Sequence, residues 1–189
     1  MTKSIMIVGV GGQGTLLASR ILGNTVIGEG YDVKVSEVHG MSQRGGSVVT
    51  YVKYGEKVYS PIIGKGEADI ILAFEMLEAY RSMPYLKEGG KIIANSQEIS
   101  PMPVITGAAQ YPEHIKEKMS KKIHLTCVDA LSLANEAGNS RAVNVVLIGL
   151  MAKKTDIAYE KWVRTIQTTT PEKFLESNLK AFDLGYHYQ

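Results

Sequence analysis

Short apolar runs and amphipathic stretches alternate through the first part of the chain. The run SIMIV at residues 4–8 is rich in branched apolar side chains and ends at Gly9, as expected of a strand that is buried on both faces. Apolar positions at helical spacing follow over residues 15–22, and residues 31–38 alternate in the manner of a second strand. The chain is therefore predicted to open with a strand, a helix and a strand.

The next apolar segments predict a hairpin and two further strands. SVVTYVKY at residues 47–54 and VYSPII at residues 58–63 are joined by turn-forming residues, which favours an antiparallel hairpin between these two segments. Buried parallel strands are predicted at residues 69–74 and 91–95, with a helix over about residues 75–86 between them. The predicted sheet is thus mixed, with mostly parallel strands.

The remainder of the chain is predicted to be mainly helical. Prolines between residues 97 and 114 indicate a loop, in which residues 104–105 favour a short strand, and residues 122–128 form the last predicted strand. Asp129 and Thr170 are expected to cap two of the helices that follow. The predicted helices span residues 129–136, 141–153, 158–166 and 171–186.

These elements together predict the α/β fold class. Strands that alternate with helices, followed by helices alone, indicate a three-layer Rossmann-like domain with a mixed, mostly parallel sheet and one β-hairpin. Its helical C-terminal portion covers about residues 129–189. The length of 189 residues and the hydrophobic content of 44% are ordinary for one domain over residues 1–189.

The composition excludes several classes of protein. A net charge of +2, from 21 basic and 19 acidic residues, gives no electrostatic reason to expect a nucleic-acid partner. No apolar run approaches the roughly 18 residues of a membrane span, and the start of the chain lacks the apolar region of a signal peptide. We therefore expect a cytoplasmic protein that has no membrane partner.

Cys127 is the only cysteine of the chain. One cysteine cannot form an intramolecular disulfide, and a typical zinc or iron–sulfur site takes about four ligands from the protein. We therefore expect no metal site on this chain. The chain also contains no GxSxG, Walker A or HExxH pattern, so we expect no complete catalytic set of its own.

The segment GVGGQG at residues 9–14 satisfies the GxGxxG pattern, directly after a predicted strand and before a predicted helix. Glycine lets the backbone approach a ligand, and the N–H groups of a helix N-terminus attract anions such as phosphate. Three interpretations are open: a close strand–helix turn without a ligand, an anion or nucleotide site, and a loop that faces a partner. A dinucleotide site also requires an acid near the end of the second strand, where Glu37 stands.

A second glycine-rich segment, EVHGMSQRGG at residues 37–46, stands where an ordinary dinucleotide domain would begin a helix. The imidazole of His39 can titrate near neutrality, and Arg44 can hold a carboxylate or phosphate with two hydrogen bonds. Solvated surface charges are the simpler alternative. The carboxyl ends of strands in open α/β sheets converge on one crevice, so residues 9–14 and 37–46 are predicted to face the same cleft.

The two segments together resemble a known family. GVGGQGTLLASRIL and SEVHGMSQRGGSVVTYV are similar to the gamma-type domain of the 2-oxoacid:ferredoxin oxidoreductases. Within that family, EVHGMSQRGG resembles the beta, or small, subunit of the indolepyruvate ferredoxin oxidoreductases. The stretches YSPII, DIILAFEMLEA and NLKAFDLGY fit the same resemblance, which covers nearly the whole chain. A gamma subunit of a pyruvate or 2-oxoglutarate enzyme is the alternative within the family.

The resemblance implies an enzyme subunit that is not active alone. The indolepyruvate enzymes convert an arylpyruvate, coenzyme A and oxidised ferredoxin to aryl-acetyl-CoA, carbon dioxide and reduced ferredoxin, a step of amino-acid catabolism. The resemblance places thiamine diphosphate and the 4Fe–4S clusters in a large alpha subunit. The expected partners are therefore that alpha subunit and, through the complex, ferredoxin. This chain is expected to bind no cofactor by itself.

The resemblance also implies that the two glycine-rich segments are the ligand-facing loops, with Arg44 as the positive group for a carboxylate or phosphate. Two alternatives outside the family are a free-standing dinucleotide-binding oxidoreductase and a module that senses an anionic metabolite. The expected site residues are Gly9, Gly11, Gly12, Gln13, Gly14, Glu37, His39, Gly40, Met41, Ser42, Gln43, Arg44, Gly45 and Gly46.

Overall fold

The computed structural model describes residues 2–40 and 45–189. Within these residues, one mixed sheet of six strands carries helices on both of its faces. This arrangement confirms the predicted α/β fold class. The interpretations given to Met41, Ser42, Gln43 and Arg44 lie outside the described residues.

The sheet is parallel on one side and antiparallel on the other. The strands are β1 (Lys3–Val10), β2 (Asp32–His39), β3 (Ser47–Gly55), β4 (Ala68–Ala73), β5 (Leu86–Asn95) and β6 (His124–Val128). They lie in the order β2-β3-β1-β4-β5-β6. The pairs from β1 to β6 along that order are parallel, and β3 is antiparallel to both of its neighbours.

Eight helices follow and separate these strands in the described part of the chain. They are α1 (Thr15–Gly28), α2 (Met76–Ser82), α3 (Met102–Ile105), α4 (Ile115–Ser120), α5 (Ala130–Glu136), α6 (Val143–Ala152), α7 (Tyr159–Thr169) and α8 (Leu175–Tyr186). Short 3₁₀ turns occupy Met83–Tyr85, Ser140–Ala142 and Glu172–Phe174. Asp129 caps α5 as predicted, because its carboxylate accepts a hydrogen bond from the Ser132 N–H at 3.0 Å.

Alternate residues of the central strands enter two separate apolar cores. Ile5 and Ile7 pack in a first core with α1 and with α5 to α8, whereas Met6 and Val8 pack in a second core with α2 and α4. Side chains alternate between the faces of a strand, and here both faces are covered. This is why residues 4–8 form an apolar run with no alternation.

Helices α6 and α8 approach each other closely in the first core. All residues of α6 from Asn144 to Ala152 are buried. A Cβ atom on Gly149 would lie 2.3 Å from the carbonyl oxygen of Phe182, and one on Gly185 would lie 2.1 Å from that of Val146. The contact therefore requires glycine on both helices.

The predicted hairpin between residues 47–54 and 58–63 is wrong, because β3 pairs with β2 instead. The register runs from Asp32 opposite Gly55 to His39 opposite Val48, and the other edge of β3 pairs with β1. Since both edges of β3 are occupied, residues 58–63 cannot pair with it.

Three smaller predictions are also wrong. The helix predicted over residues 75–86 ends at Ser82, because Pro84 lacks an N–H group and a 3₁₀ turn replaces the last turn. Residues 104–105 belong to the short helix α3, where the Ile105 N–H donates to the Pro101 carbonyl. Thr170 ends α7 and caps nothing, since its hydroxyl finds no hydrogen-bond partner among the described residues.

No helix among the described residues is both long enough and apolar enough to cross a membrane.

Candidate functional site

The carboxyl ends of the parallel neighbours β1 and β4 lie side by side, and the chain leaves these two strands toward opposite faces of the sheet. The helix after β1 packs in the first core, and the helix after β4 packs in the second. Connections that leave neighbouring parallel strands toward opposite faces open a crevice at the edge of the sheet, and ligands of open α/β proteins bind in such crevices. We therefore take this crevice as the candidate site.

The GxGxxG segment forms the turn from β1 into α1 beside this crevice. Gly12 and Gly14 have φ angles of +98° and +82°, which lie in the region that favours glycine. Within the described residues, no side chain caps α1 and no acidic residue stands in its first turn. The positive end of a helix of 14 residues is therefore free of competing negative charge at this turn.

The Gln13 side chain is engaged within the protein. Its Oε1 atom accepts a hydrogen bond from the Val10 N–H at 2.7 Å, and its Nε2 atom donates to the Phe74 carbonyl at 3.0 Å. Nε2 is also 3.3 Å from Oε1 of Gln97, and the Asn95 amide donates to the same Phe74 carbonyl at 3.3 Å. These bonds tie the ends of β1, β4 and β5 together, so the Gln13 amide supports the crevice from within.

Beside Gly12 and Gly14 the crevice widens into a cleft of about 710 Å³. Asn144 of α6 is buried at its wall and donates from Nδ2 to the Gly14 carbonyl at 3.3 Å. Arg141, at the start of the same helical region, is exposed and brings a positive charge to the cleft. Besides Gln13, the polar side chains that line this cleft are those of Gln97, Asn139, Ser140, Arg141, Asn144 and Asn178.

Sequence reasoning missed these polar residues. They lie between 83 and 164 positions beyond Gly14 in the sequence, since Gln97 follows β5 and Asn178 lies in α8. The one available signal is that Asn144 interrupts the otherwise apolar stretch of α6. Such a pattern identifies a buried amide without identifying the backbone group that the amide meets.

The described residues on either side of positions 41–44 link the end of β2, the start of β3 and the glycine turn. The Gly40 N–H donates to the Ser47 carbonyl at 3.0 Å, and the Gly11 N–H donates to the Gly46 carbonyl at 3.0 Å. The second bond joins the two glycine-rich segments directly. They therefore meet at one edge of the sheet.

Two buried carboxylates of the α2 region hold the surroundings of the crevice. Glu78 accepts hydrogen bonds from the Ser47 hydroxyl and from Arg81, both at 2.6 Å. Glu75 caps α2 and accepts a hydrogen bond from the Tyr111 hydroxyl at 2.7 Å. Burial and this bond raise the pKa of Tyr111, so its hydroxyl remains a donor. Because each carboxylate has at least two partners, its burial is compensated.

Glu37 and His39 stand at the carboxyl end of β2. Oε1 of Glu37 lies 2.5 Å from Nε2 of His39, and Oε2 accepts a hydrogen bond from the Thr50 hydroxyl at 3.1 Å. Both oxygens of Glu37 are thus engaged by protein groups. A ribose hydroxyl at a dinucleotide site would therefore share this carboxylate with His39 and Thr50.

Cys127 lies half-buried in β6, with its sulfur 3.8 Å from that of Met76. Burial raises the pKa of the Cys127 thiol, which disfavours the thiolate that metals bind. In residues 2–40 and 45–189, no group of three or more His, Cys, Asp or Glu side chains is placed to hold a metal ion. The residues of this chain do not fit an iron–sulfur cluster.

Comparison with known proteins identifies the family. The family described as pyruvate ferredoxin/flavodoxin oxidoreductase matches residues 4–188. The chain belongs to this family. The relatives of the chain within it include the indolepyruvate oxidoreductase subunit IorB of Pyrococcus horikoshii, which is 44% identical over 188 residues that cover 96% of this chain and 93% of the relative.

Solved structures of other ferredoxin oxidoreductases share the fold. The gamma subunit of a keto/oxoacid ferredoxin oxidoreductase from Geobacter sulfurreducens is 24% identical, with a TM-score of 0.73 over 97% of this chain and 96% of that one. The 2-oxoglutarate:ferredoxin oxidoreductase of Magnetococcus marinus, solved with 2-oxoglutarate, coenzyme A and succinyl-CoA bound, is 18% identical with a TM-score of 0.74. The match covers 97% of this chain but only 30% of the chain in that structure. The fold therefore occurs both as a separate subunit and within a longer chain.

Proposed function

We propose that this chain is the small subunit of a cytoplasmic indolepyruvate:ferredoxin oxidoreductase. The reaction is the oxidative decarboxylation of an arylpyruvate with coenzyme A, which yields aryl-acetyl-CoA and carbon dioxide and passes two electrons to ferredoxin. The observation that carries the proposal is the 44% identity to the Pyrococcus horikoshii subunit over nearly the full length of both proteins. In this proposal the whole chain acts as one domain.

The redox cofactors belong to the large alpha subunit in this proposal. Thiamine diphosphate bound there would supply the electron sink for decarboxylation, and 4Fe–4S clusters bound there would carry the electrons to ferredoxin. The single cysteine of this chain supports the division, because cluster ligation takes about four thiolates. The small subunit completes the active site from outside and is inactive alone.

The crevice at the carboxyl edge of the sheet is the part of this chain that we assign to coenzyme A. The uncapped N-terminus of α1 and the Arg141 guanidinium suit phosphate groups. Amide side chains such as Asn139 and Asn178 suit the polar groups of the nucleotide and the pantetheine arm. Arg44 supplies a second positive group in this assignment.

A substrate panel tests the proposal. The complex reconstituted from this chain and the large subunit is assayed for coenzyme A-dependent ferredoxin reduction with indolepyruvate, phenylpyruvate, pyruvate and 2-oxoglutarate. We expect kcat/KM for the two arylpyruvates to exceed that for the other two acids by at least about tenfold. A preference for pyruvate or 2-oxoglutarate would assign the chain to the gamma subunits of those enzymes instead. Nucleotide binding and turnover by the isolated chain would contradict both assignments.

A further inference from the structure

Three side chains form a continuous hydrogen-bonded series across the β2–β3 hairpin. Glu37 lies directly opposite Thr50 in the strand register, and His39 lies opposite Val48. The Thr50 hydroxyl donates to Oε2 of Glu37 at 3.1 Å, and Oε1 of Glu37 lies 2.5 Å from Nε2 of His39. The antiparallel pairing itself therefore fixes the positions of all three residues.

Exposure increases along this series. Thr50 is fully buried, the Glu37 side chain is 20% exposed and the His39 side chain is 60% exposed. An ordinary surface ion pair leaves its carboxylate free to rotate. Here the second oxygen of Glu37 is held by a buried hydroxyl, so the first oxygen has one fixed direction in which to hold the imidazole.

The geometry determines which nitrogen of His39 can take up a proton. An ionised carboxylate only accepts hydrogen bonds, so Nε2 carries the hydrogen that faces Glu37. Among the described residues Nδ1 has no hydrogen-bond partner, and the His39 side chain is 60% exposed. A carboxylate that orients an imidazole in this way also stabilises the imidazolium that forms after proton transfer.

The location of His39 connects the series to the candidate site. His39 is the last residue of β2, and the Gly40 N–H that follows it donates to the Ser47 carbonyl. Gly46, on the far side of the undescribed residues 41–44, contacts Gly11 of the glycine turn. Gly9 and His39 pair with Val48 from its two sides, so the imidazole stands at the same sheet edge as the glycine turn, two strands away.

We propose, on the basis of the function proposed above, that His39 accepts the proton of the coenzyme A thiol and that Glu37 and Thr50 are its positioning residues. Conversion of a 2-oxoacid anion and a thiol to a thioester and carbon dioxide releases two electrons and one proton. That proton comes from the sulfur. It passes to Nδ1 as the S–H bond breaks, and the thiolate forms the new carbon–sulfur bond at the carbon whose bond to the carboxylate carbon has been broken by release of carbon dioxide. The two electrons leave for ferredoxin, and the imidazolium returns its proton to solvent.

The test separates the coenzyme A-dependent step from the earlier decarboxylation. In the reconstituted complex with indolepyruvate, release of carbon dioxide is measured without coenzyme A, and ferredoxin reduction is measured with it. General base catalysis is typically worth about 10²–10⁴-fold. We therefore expect His39→Ala to lower kcat of the coenzyme A-dependent reaction by about 10²-fold or more. The KM for coenzyme A and the decarboxylation without it should change by less than about threefold.

Added imidazole distinguishes a proton acceptor from a purely structural residue, because free imidazole can replace the lost base but cannot repair a lost structural contact. We expect it to restore the coenzyme A-dependent rate of His39→Ala in proportion to its concentration, and to leave the wild type unchanged. His187→Ala is the matched control, because His187 is similarly exposed and lies 3.0 Å from the Asp183 carboxylate. That control variant should keep the wild-type rate.

Variants of the positioning residues extend the test. Glu37→Gln keeps an oxygen near Nε2 but removes the charge, and Thr50→Val removes the hydroxyl that holds Glu37. We expect kcat to fall in both variants, with the larger loss in Glu37→Gln, and Thr50→Ser to retain most of it. These variants decide the question if His39→Ala fails to assemble with the large subunit.

Several outcomes would overturn the proposal. An unchanged coenzyme A-dependent kcat in His39→Ala would do so, as would a loss that imidazole does not restore. A rise in the KM for coenzyme A alone would show a binding residue instead of a base. Failure of the function proposed above appears differently, as a wild-type complex that oxidises no 2-oxoacid with coenzyme A.

Discussion

Gly14 is the residue at which the glycine turn meets the C-terminal helices. Its carbonyl accepts the Asn144 amide, and a Cβ atom placed on it would lie 2.7 Å from Nδ2 of that residue. Gly12 has the same kind of positive φ angle, but a Cβ there would meet nothing within 4 Å in the described part of the chain. Substitution of Gly12 therefore measures the cost of the positive φ angle alone, whereas substitution of Gly14 measures that cost together with a steric clash.

We expect Gly12→Ala to lower the free energy of unfolding by about 1 kcal/mol, since only the positive φ is penalised. Gly14→Ala should lower it by a further 1–3 kcal/mol or so, because the methyl group also displaces Asn144. Urea unfolding of the two variants measures both values. Equal losses would show that Asn144 yields without cost.

Burial of Tyr54 makes the free energy of unfolding of the chain depend on pH in the alkaline range. It lies in β3 against Tyr31, with ring centroids 5.5 Å apart, and is only 7% exposed. Burial, with a smaller contribution from Tyr31, raises the pKa of Tyr54 to about 12. The folded state therefore keeps this proton over an interval in which the unfolded state, with a tyrosine pKa near 10, has lost it.

The contribution of Tyr54 is complete below about pH 10 and is lost as the pH rises toward 12. Over that interval the free energy of unfolding of the wild type should fall more steeply than that of Tyr54→Phe, by about 1.4 kcal/mol per pH unit. Urea unfolding at several alkaline pH values provides the comparison. Parallel pH profiles for the two proteins would contradict the buried, protonated state of Tyr54.

At the scale of elements, the strands and helices could mostly be predicted from the sequence, but one pairing could not. The apolar pattern of SVVTYVKY locates β3. It does not show that β3 uses both edges, for β2 and for β1. The turn-forming residues 54–57 give the stronger local signal for a hairpin, whereas the segment between β2 and β3, residues 40–46, carries the glycines and the arginine that indicate a site.

The contact between α6 and α8 also depends on information that the apolar pattern does not contain. Gly149 and Gly185 occupy helices in which glycine is intrinsically unfavourable. Only the packed structure shows that a Cβ atom on either would collide with the backbone of the other helix.

We expect Gly149→Ala to be strongly destabilising, by about 3 kcal/mol or more, because the obstacle is the Phe182 carbonyl and not a flexible side chain. Gly23→Ala is the matched control. Gly23 lies inside α1, and a Cβ there would meet nothing within 4 Å in the described residues. This variant should gain about 0.5–1 kcal/mol from helix propensity. Thermal unfolding of both proteins tests the pair, and a loss of stability in Gly23→Ala would contradict the account.

For the whole molecule, the family could be predicted from the sequence, whereas most residues that line the candidate site could not. Residues 9–14 could be placed because a strand, a glycine turn and a helix are contiguous in the sequence. Arg141 and Asn178 could not, since only the packing of α5 to α8 over the first core brings them to the glycine turn. Gln13 lines the cleft, and the sequence could not show that its amide also binds the ends of three strands.

In the proposed function, this chain supplies part of an active site whose cofactors belong to another subunit. A titration tests this directly: the purified chain is added in increasing amounts to its large alpha subunit, and ferredoxin reduction is followed with indolepyruvate and coenzyme A. We expect little activity from either protein alone and a rate that rises to saturation at a fixed molar ratio. Full turnover by the large subunit alone, unchanged when this chain is added, would show that the chain supplies no part of the active site.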